Sequence, residues 1–195
     1  QVDTGFIVFN DRNYPNFVGL MEELGIAKKT TSMGFSLSDS ETGIEYAGTN
    51  LDTIFAQRQN IFSWSFLTML KDIIRFNKQA TNDLKTNNIE LGESLGCYLK
   101  RNSYSKIFID KYLVAMGSAI WSADWDNVLE FPANFFVSFF HNHGLLSIQN
   151  RPQWYVIQGG SREYLAPLTS RFRDNILTNC RVKSVSREKK DNVRV

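Results

Sequence analysis

Cysteine is scarce in this chain of 195 residues: Cys97 and Cys180 are the only two, far apart and in unlike surroundings. No Cys-x-x-Cys or Cys/His zinc spacing exists, which counts against a metal site. Two free thiols in a reducing cytosol is the simpler reading of the pair, with a disulfide as the alternative. Histidine is equally scarce. His141 and His143 stand at i, i+2, on different sides of a helix, whereas a helical zinc pair uses i, i+4. Capping or packing beside a helix end suits them better. Charge of one sign is missing too: 22 Lys and Arg oppose 20 Asp and Glu, for a net charge of +2. That excludes the strong positive field with which nucleic-acid binders grip phosphates. The longest apolar region, Phe62 to Phe76, is broken by Lys71, Asp72 and Arg75, so no membrane span is expected. No signal peptide and no Asn-x-Ser/Thr acceptor occur, and the expected location is cytoplasmic.

Aromatic residues are abundant instead. Phe alone numbers 15, and the aromatic share is 13%. A hydrophobic share of 43% excludes disorder and is enough for a real core in a chain of this length. The chain opens at Gln1 and closes on the strand-like Asn-Val-Arg-Val, so both ends read as cut through structure. The expectation is an internal fragment of a longer protein.

Val2 to Phe9 is β-rich around a glycine and reads as a buried strand. Asn16 to Leu24 reads as a helix stopped by Gly25. Phe35 to Ser38 and Ile44 to Tyr46 flank a loop and predict a hairpin, and Leu51 to Gln59 predicts a short helix. Phe62, Phe66, Met69, Ile73, Phe76 and Ala80 recur at helical spacing, with Lys71, Arg75 and Lys78 on another face. Further helices are expected over 91–99, 104–121 and from Pro132 to a stop at Gly144. Trp154 to Ile157 predicts a strand running into Gly159-Gly160, followed by a helix over 162–173 weakened at Pro167. Two strands, 181–186 and 193–195, flank the polar turn 187–192. Strand, many helices, strand, helix and hairpin together make the fold class α+β: a mostly helical block between pieces of sheet.

Three motifs invite chemistry. Asp3-Thr-Gly5 is the tripeptide of aspartic proteases, but the second copy that a shared-proton pair requires is not in the sequence. A strand glycine where backbone approaches something closely is the plainer reading. Gly159-Gly160-Ser161 ahead of a helix could offer backbone N–H groups to an anion, or be a bare strand-to-helix turn. The rings Trp121, Trp125, Phe135, Phe136, Phe139, Phe140, Trp154 and Tyr155 are plain core or the wall of an apolar pocket. No Ser/His/Asp or Cys/His arrangement and no telling carboxylate pair is legible.

Several segments in order resemble the bacterial FAD-dependent amine oxidase-like family. They are Val2-Asp-Thr-Gly-Phe-Ile-Val-Phe-Asn, Arg12-Asn-Tyr-Pro-Asn-Phe, Glu23-Leu-Gly, Met33-Gly-Phe-Ser, Arg75-Phe-Asn, Ala119-Ile-Trp-Ser, Phe131-Pro-Ala, Asn142-His-Gly-Leu-Leu, Arg151-Pro-Gln-Trp and Gly159-Gly-Ser-Arg. A similar region precedes some cyclopropane fatty acid synthases. The resemblance implies a flavoprotein with a Rossmann-type FAD domain, whose Gly-rich opening unit this chain lacks. Residues 1–15 would be a strand returning from that domain, 16–150 the helical substrate domain with its hairpin, and 151–195 a strand-helix-hairpin re-entering it. It further implies that Gly5 and Phe6 lie near the flavin ring. Gly159, Gly160 and Val182 would serve the cofactor, and Trp121, Phe136, Phe140, Trp154 and Tyr155 the substrate pocket. No catalytic side chain is assigned, and the lysine that the wider superfamily often places near the flavin is not matched here. The expected activity is hydride transfer from an amine or other apolar substrate to FAD. The isolated fragment is expected to be inactive, to hold no FAD and to self-associate. The alternative is a non-catalytic module that binds an apolar ligand or a protein. A desaturase or isomerase of the same superfamily reads identically.

Overall fold

The computed structural model describes residues 3, 5–147, 151–189 and 192–194. Val2, Thr4 and Val195, which belong to the expected first and last strands, and residues 190 and 191 of the expected turn lie outside the described residues. Helix takes 51% and strand 13%, which places the chain in the α+β class.

The first strand, β1, is only Phe9–Asn10, not the longer buried run that composition predicts. Phe6 adopts a left-handed φ of 48°, which breaks the extended run, and Phe6 and Ile7 stay half-exposed. Helix α1 (Pro15–Glu23) starts on a proline, whose missing N–H costs nothing there. Gly25 then turns the chain at φ 67° into β2 (Lys28–Thr31). This strand of polar residues had no hydrophobic signal. Strands β3 (Ser36–Asp39) and β4 (Ile44–Ala47) form the expected hairpin, with Leu37 opposite Tyr46.

The helical body follows. The region read as one short helix is α2 (Leu51–Ile54), capped by Asn50, and a separate 3-10 turn, Arg58–Phe62. Ser63 accepts the Phe66 N–H at 3.3 Å and starts α3 (Trp64–Lys85) there, so Phe62 is left 90% exposed. Of the remaining stripe Phe66, Met69, Phe76 and Ala80 are buried and Ile73 is half-buried. Each such buried large side chain stabilises by about 1.5–3 kcal/mol. Helix α4 (Leu95–Arg101) is capped by Ser94. Helix α5 (Lys106–Phe108) continues through a π-helical segment, Ile109–Val114, into α6 (Ala115–Trp121). Helix α7 (Trp125–Leu129) and α8 (Ala133–Asn142) close the body, and Gly144, at φ 69°, stops α8 as expected.

Strand β5 (Trp154–Ile157) pairs antiparallel with β1 on one edge and β2 on the other. A 3-10 turn (Ser161–Tyr164), the short α9 (Leu165–Thr169) around Pro167, and a second 3-10 turn (Ser170–Asn175) replace the single helix expected there. Strands β6 (Ser186–Lys189) and β7 (Asn192–Arg194) pair, so the last hairpin begins later than predicted.

Packing divides the chain into two apolar clusters. The larger holds Tyr46, most of α3 through α8, and Leu146. The smaller holds Phe9, Met21 and Ile157, with Tyr14, Phe17, Tyr155 and Tyr164 around them. Helix α1 therefore belongs with the three-stranded sheet, not with the helical block to which its sequence position assigned it. Cys97 and Cys180 are free and exposed, in line with the two-thiol reading.

The hairpin is tied to the π segment by two contacts. The Tyr46 hydroxyl donates to the Lys111 carbonyl at 2.8 Å, and the Lys111 ammonium stands 2.7 Å from Asp39. Lys111, with help from the Thr42 hydroxyl, lowers the Asp39 carboxyl from 3.8 to about 2. A group titrating below its unfolded value stabilises above that unfolded value, and the contribution fades as pH falls through the folded one. Lys111→Met is expected to raise the Asp39 midpoint towards the ordinary carboxylate range, part of the lowering remaining with Thr42, read from its carboxyl-carbon NMR shift over an acid titration; an unmoved midpoint would refute the pairing.

Gly117 is buried in α6, where an added Cβ would lie 2.8 Å from Val128 Cγ1 and 3.2 Å from Phe136 Cε2. Alanine would gain about 1 kcal/mol of helix propensity there. Overpacking a closed core loses about 1–3 kcal/mol. Gly117→Ala is therefore expected to lower stability by about 1 kcal/mol net, read as a lower urea midpoint. A stabilised variant would show that Val128 and Phe136 have room to spare.

Candidate functional site

Strand β5 delivers the Gly159-Gly160 turn to the edge of the small sheet. The Gln158 N–H donates to the Ala27 carbonyl at 3.0 Å, and the chain then reverses through φ values of 89° and 96°. Gly160 has ψ 169°, a conformation essentially restricted to glycine. The turn is crowded as well as twisted. A Cβ at Gly159 would sit 2.9 Å from Glu163 Cγ, and one at Gly160 3.1 Å from Asp3 Oδ2.

Asp3 is the residue that sequence reasoning missed. Its carboxylate accepts the Ser161 N–H at 2.9 Å across a separation of 158 residues. The backbone donor that the sequence offered to an outside anion thus holds the chain's own carboxylate. Asp3, Gly159, Gly160, Arg162 and Glu163 line a crevice of about 320 Å³. No local pattern announces this contact; only the tripeptide around Asp3 marked the residue, and for a different chemistry.

Beside the crevice lies an aromatic cluster. The Phe6 ring is edge-on to Tyr14 at 5.3 Å and to Phe17 at 4.8 Å, and Phe17 meets Phe9 at 4.9 Å and Tyr164 at 6.0 Å. Phe6 keeps 47% of its surface exposed despite its left-handed backbone. A large residue held in that conformation is a mark of strain, and such strain gathers at functional sites. Behind it, the Tyr14 hydroxyl lies 3.4 Å from His143 Nε2, and His143 Nδ1 is 2.9 Å from the Phe139 carbonyl. A carbonyl can only accept, so Nδ1 carries a proton, which leaves Nε2 to face the Tyr14 hydroxyl. Burial raises the Tyr14 titration. His143 also stacks on Phe139 at 3.9 Å, which agrees with the packing reading of the histidines.

The structure therefore brings Phe6, Gly159 and Gly160 into one neighbourhood and leaves other expected residues elsewhere. Gly5 is exposed, and among the described residues nothing beyond its chain neighbours lies within 4 Å of a Cβ built on it, so the close approach falls at Gly159 and Gly160 instead. Phe136 and Phe140 are 0% and 1% exposed. They stack on each other at 4.3 Å, so this pair is closed core rather than the wall of an opening, while Trp121, 5.3 Å from Phe136, is half-buried at its margin. Trp154 and Tyr155 are half-buried on β5, and Tyr155 packs with the small cluster of Phe9, Met21 and Ile157. The Lys28 ammonium lies over the Tyr155 ring at 4.7 Å. Val182 is 59% exposed and precedes β6, so it is not on the strand expected to carry it.

Among the described residues no cluster of His, Cys, Asp or Glu is arranged for a metal, and no helix is long and apolar enough to cross a membrane. No family profile matches the chain, and no curated protein is similar to it.

Replacing Gly160 with alanine would force a side chain into a conformation that costs about 1–3 kcal/mol, and against the Asp3 carboxylate. Gly160→Ala is expected to lower stability by that amount and to speed hydrogen exchange at the Ser161 amide. Unchanged exchange would show that Asp3 does not hold the turn.

Proposed function

We propose that this chain is the substrate-side part of a flavin-dependent, amine oxidase-like oxidoreductase, with the flavin ring seated against Phe6. The carrying observation is the convergence of the Asp3–Phe6 segment with the Gly159-Gly160 turn, two pieces far apart in sequence that the family resemblance assigns to the same cofactor. Phe6 supports the reading further: its exposed ring on a rigid base of Tyr14 and Phe17 suits a flat partner.

The crevice fits only one end of such a cofactor. Its backbone donor at Ser161 is taken by Asp3, and a second anion there would face that carboxylate at close range. The lining sets two carboxylates, Asp3 and Glu163, against one cation, Arg162, which disfavours a diphosphate, while the exposed Phe6 ring leaves a face for a neutral ring. When bound, the flavin supplies the hydride acceptor. The chain's own residues orient and desolvate: Phe6, Tyr14 and Phe17 offer apolar surface, and the Asp3–Ser161 bond fixes the turn beside it.

Titration with riboflavin and with FAD tests the reading. Riboflavin fluorescence is expected to fall saturably, and FAD to bind no more tightly than riboflavin. Phe6→Ala should weaken both by about three- to tenfold, the size of a stacking contact. Lack of saturable quenching, or an indifferent Phe6→Ala, would overturn it.

A further inference from the structure

A second cleft, of about 390 Å³, opens on the helical body among α4, the α5–π segment and α7. Its size is in the range of small-molecule pockets, roughly 300–1,000 Å³. Leu99, Ile109, Leu129 and Trp125 supply apolar surface, and Lys100 and Ser103 stand with them at the lining. Lys106 is the other lysine there, and its charge is already matched by Asp110 one turn on. The exposed Lys100 ammonium has no carboxylate partner among the described residues.

Two features show that this lining is shaped rather than incidental. The first is the wall. Ile109 and Asp110 begin a π-helical segment, a wide turn that is rare and often found at functional sites. The second is the lip. Ser103 has a left-handed φ of 51°, and Arg75 holds it there by donating to the Asn102 carbonyl at 2.9 Å and the Ser103 carbonyl at 3.1 Å. Arg75 is itself fixed by Asp72 and by the Tyr104 ring, whose centroid is 4.0 Å from the guanidinium carbon. The Ser103 hydroxyl is thus carried on a strained but clamped turn beside Lys100, a pre-organised edge of the kind binding sites use.

We propose that this cleft binds a small amphipathic anion. Its hydrocarbon or ring lies on Leu99, Ile109, Leu129 and Trp125, and its carboxylate meets the Lys100 ammonium and the Ser103 hydroxyl. A cation is disfavoured, because two lysines face one aspartate in the lining. The site is separate from the Phe6 neighbourhood and does not rest on the flavin reading.

Octanoate is a suitable probe, with octanol and octylamine as matched controls, followed by NMR of the whole chain. Octanoate is expected to bind saturably and to shift the Trp125 indole and the Ser103 amide. Octanol should bind about tenfold more weakly, and octylamine more weakly still, as the loss of a charge-assisted contact implies. Lys100→Glu, at an exposed position that leaves the fold intact, should weaken octanoate about tenfold or more. Lys71→Glu makes the same change of net charge on an exposed face of α3 and should leave affinity unchanged. Shifts confined to other residues, octylamine binding as well as octanoate, or equal effects of the two lysine variants would each overturn the proposal.

Discussion

Everything at the sheet depends on β5 being hydrogen-bonded on both edges. Its partners β1 and β2 lie near the start of the described chain, so the pairing folds a long intervening segment out as a loop. Gln153, just before β5, donates to the Thr31 carbonyl 122 residues away. Closing a loop of that length is not prohibitive, because each doubling of length adds only about 0.6 kcal/mol. The condition is that the loop organises itself. It does: the large apolar cluster is built wholly from residues 35–147. Polar contacts then join the two parts, with Asn13 Nδ2 donating to the Asn142 carbonyl at 2.8 Å beside the Tyr14–His143 pair.

The helical body is held in register by buried carboxylates as well as rings. Asp72 and Asp83, 5% and 3% exposed, lie on the inner face of α3. An unpaired charge there would cost several kcal/mol. Asp72 accepts from the Ser105 N–H at 2.9 Å and from Arg75, and Asp83 accepts from the Tyr98 hydroxyl at 2.8 Å and from Asn88. Burial, then the bond to Asp83, raises the Tyr98 titration, so this hydroxyl remains a donor at any ordinary pH. Each carboxylate thereby fixes where α3 meets α4 and α5. That alignment in turn places the Ser103 turn and the π segment against α7.

Local signals made much of this legible. The helical spacing of Phe66, Met69, Phe76 and Ala80 marked α3, Pro132 and Gly144 bracketed α8, and the run Trp154–Ile157 coincided with β5. What failed was non-local. The polar Lys28–Thr31 segment carries no alternation; it is a strand because β5 lies beside it. Composition favoured a long first strand, but the left-handed Phe6 backbone cut it to two residues. The Asp3 contact with Ser161 links positions that no spacing rule relates. Of the expected site, the segment around Phe6 meets the Gly-Gly turn through Asp3, while Phe136 and Phe140 are enclosed in the core and Trp121 is half-buried beside them.

The aromatic excess therefore has two fates that the sequence could not separate. Most rings are spent on one another. Phe76 alone lies within 6.4 Å of Tyr98, Tyr104 and Phe108, and Trp121 meets Phe131, Phe136 and Phe139. Such edge and tilted contacts add about 0.5–1.5 kcal/mol each beyond burial. Other rings stay open, Phe62 and Trp64 most of all, and two of them lie at a cleft: Phe6 on Tyr14 and Phe17 beside the Gly-Gly turn, and Trp125 at the lining of the Lys100 cleft. Exposing such surface brings the fold no burial, and in both places a left-handed non-glycine residue lies at or beside the ring's cleft. Strain and exposed apolar surface both oppose folding, so their coincidence at Phe6 and near Trp125 is where binding energy has something to recover.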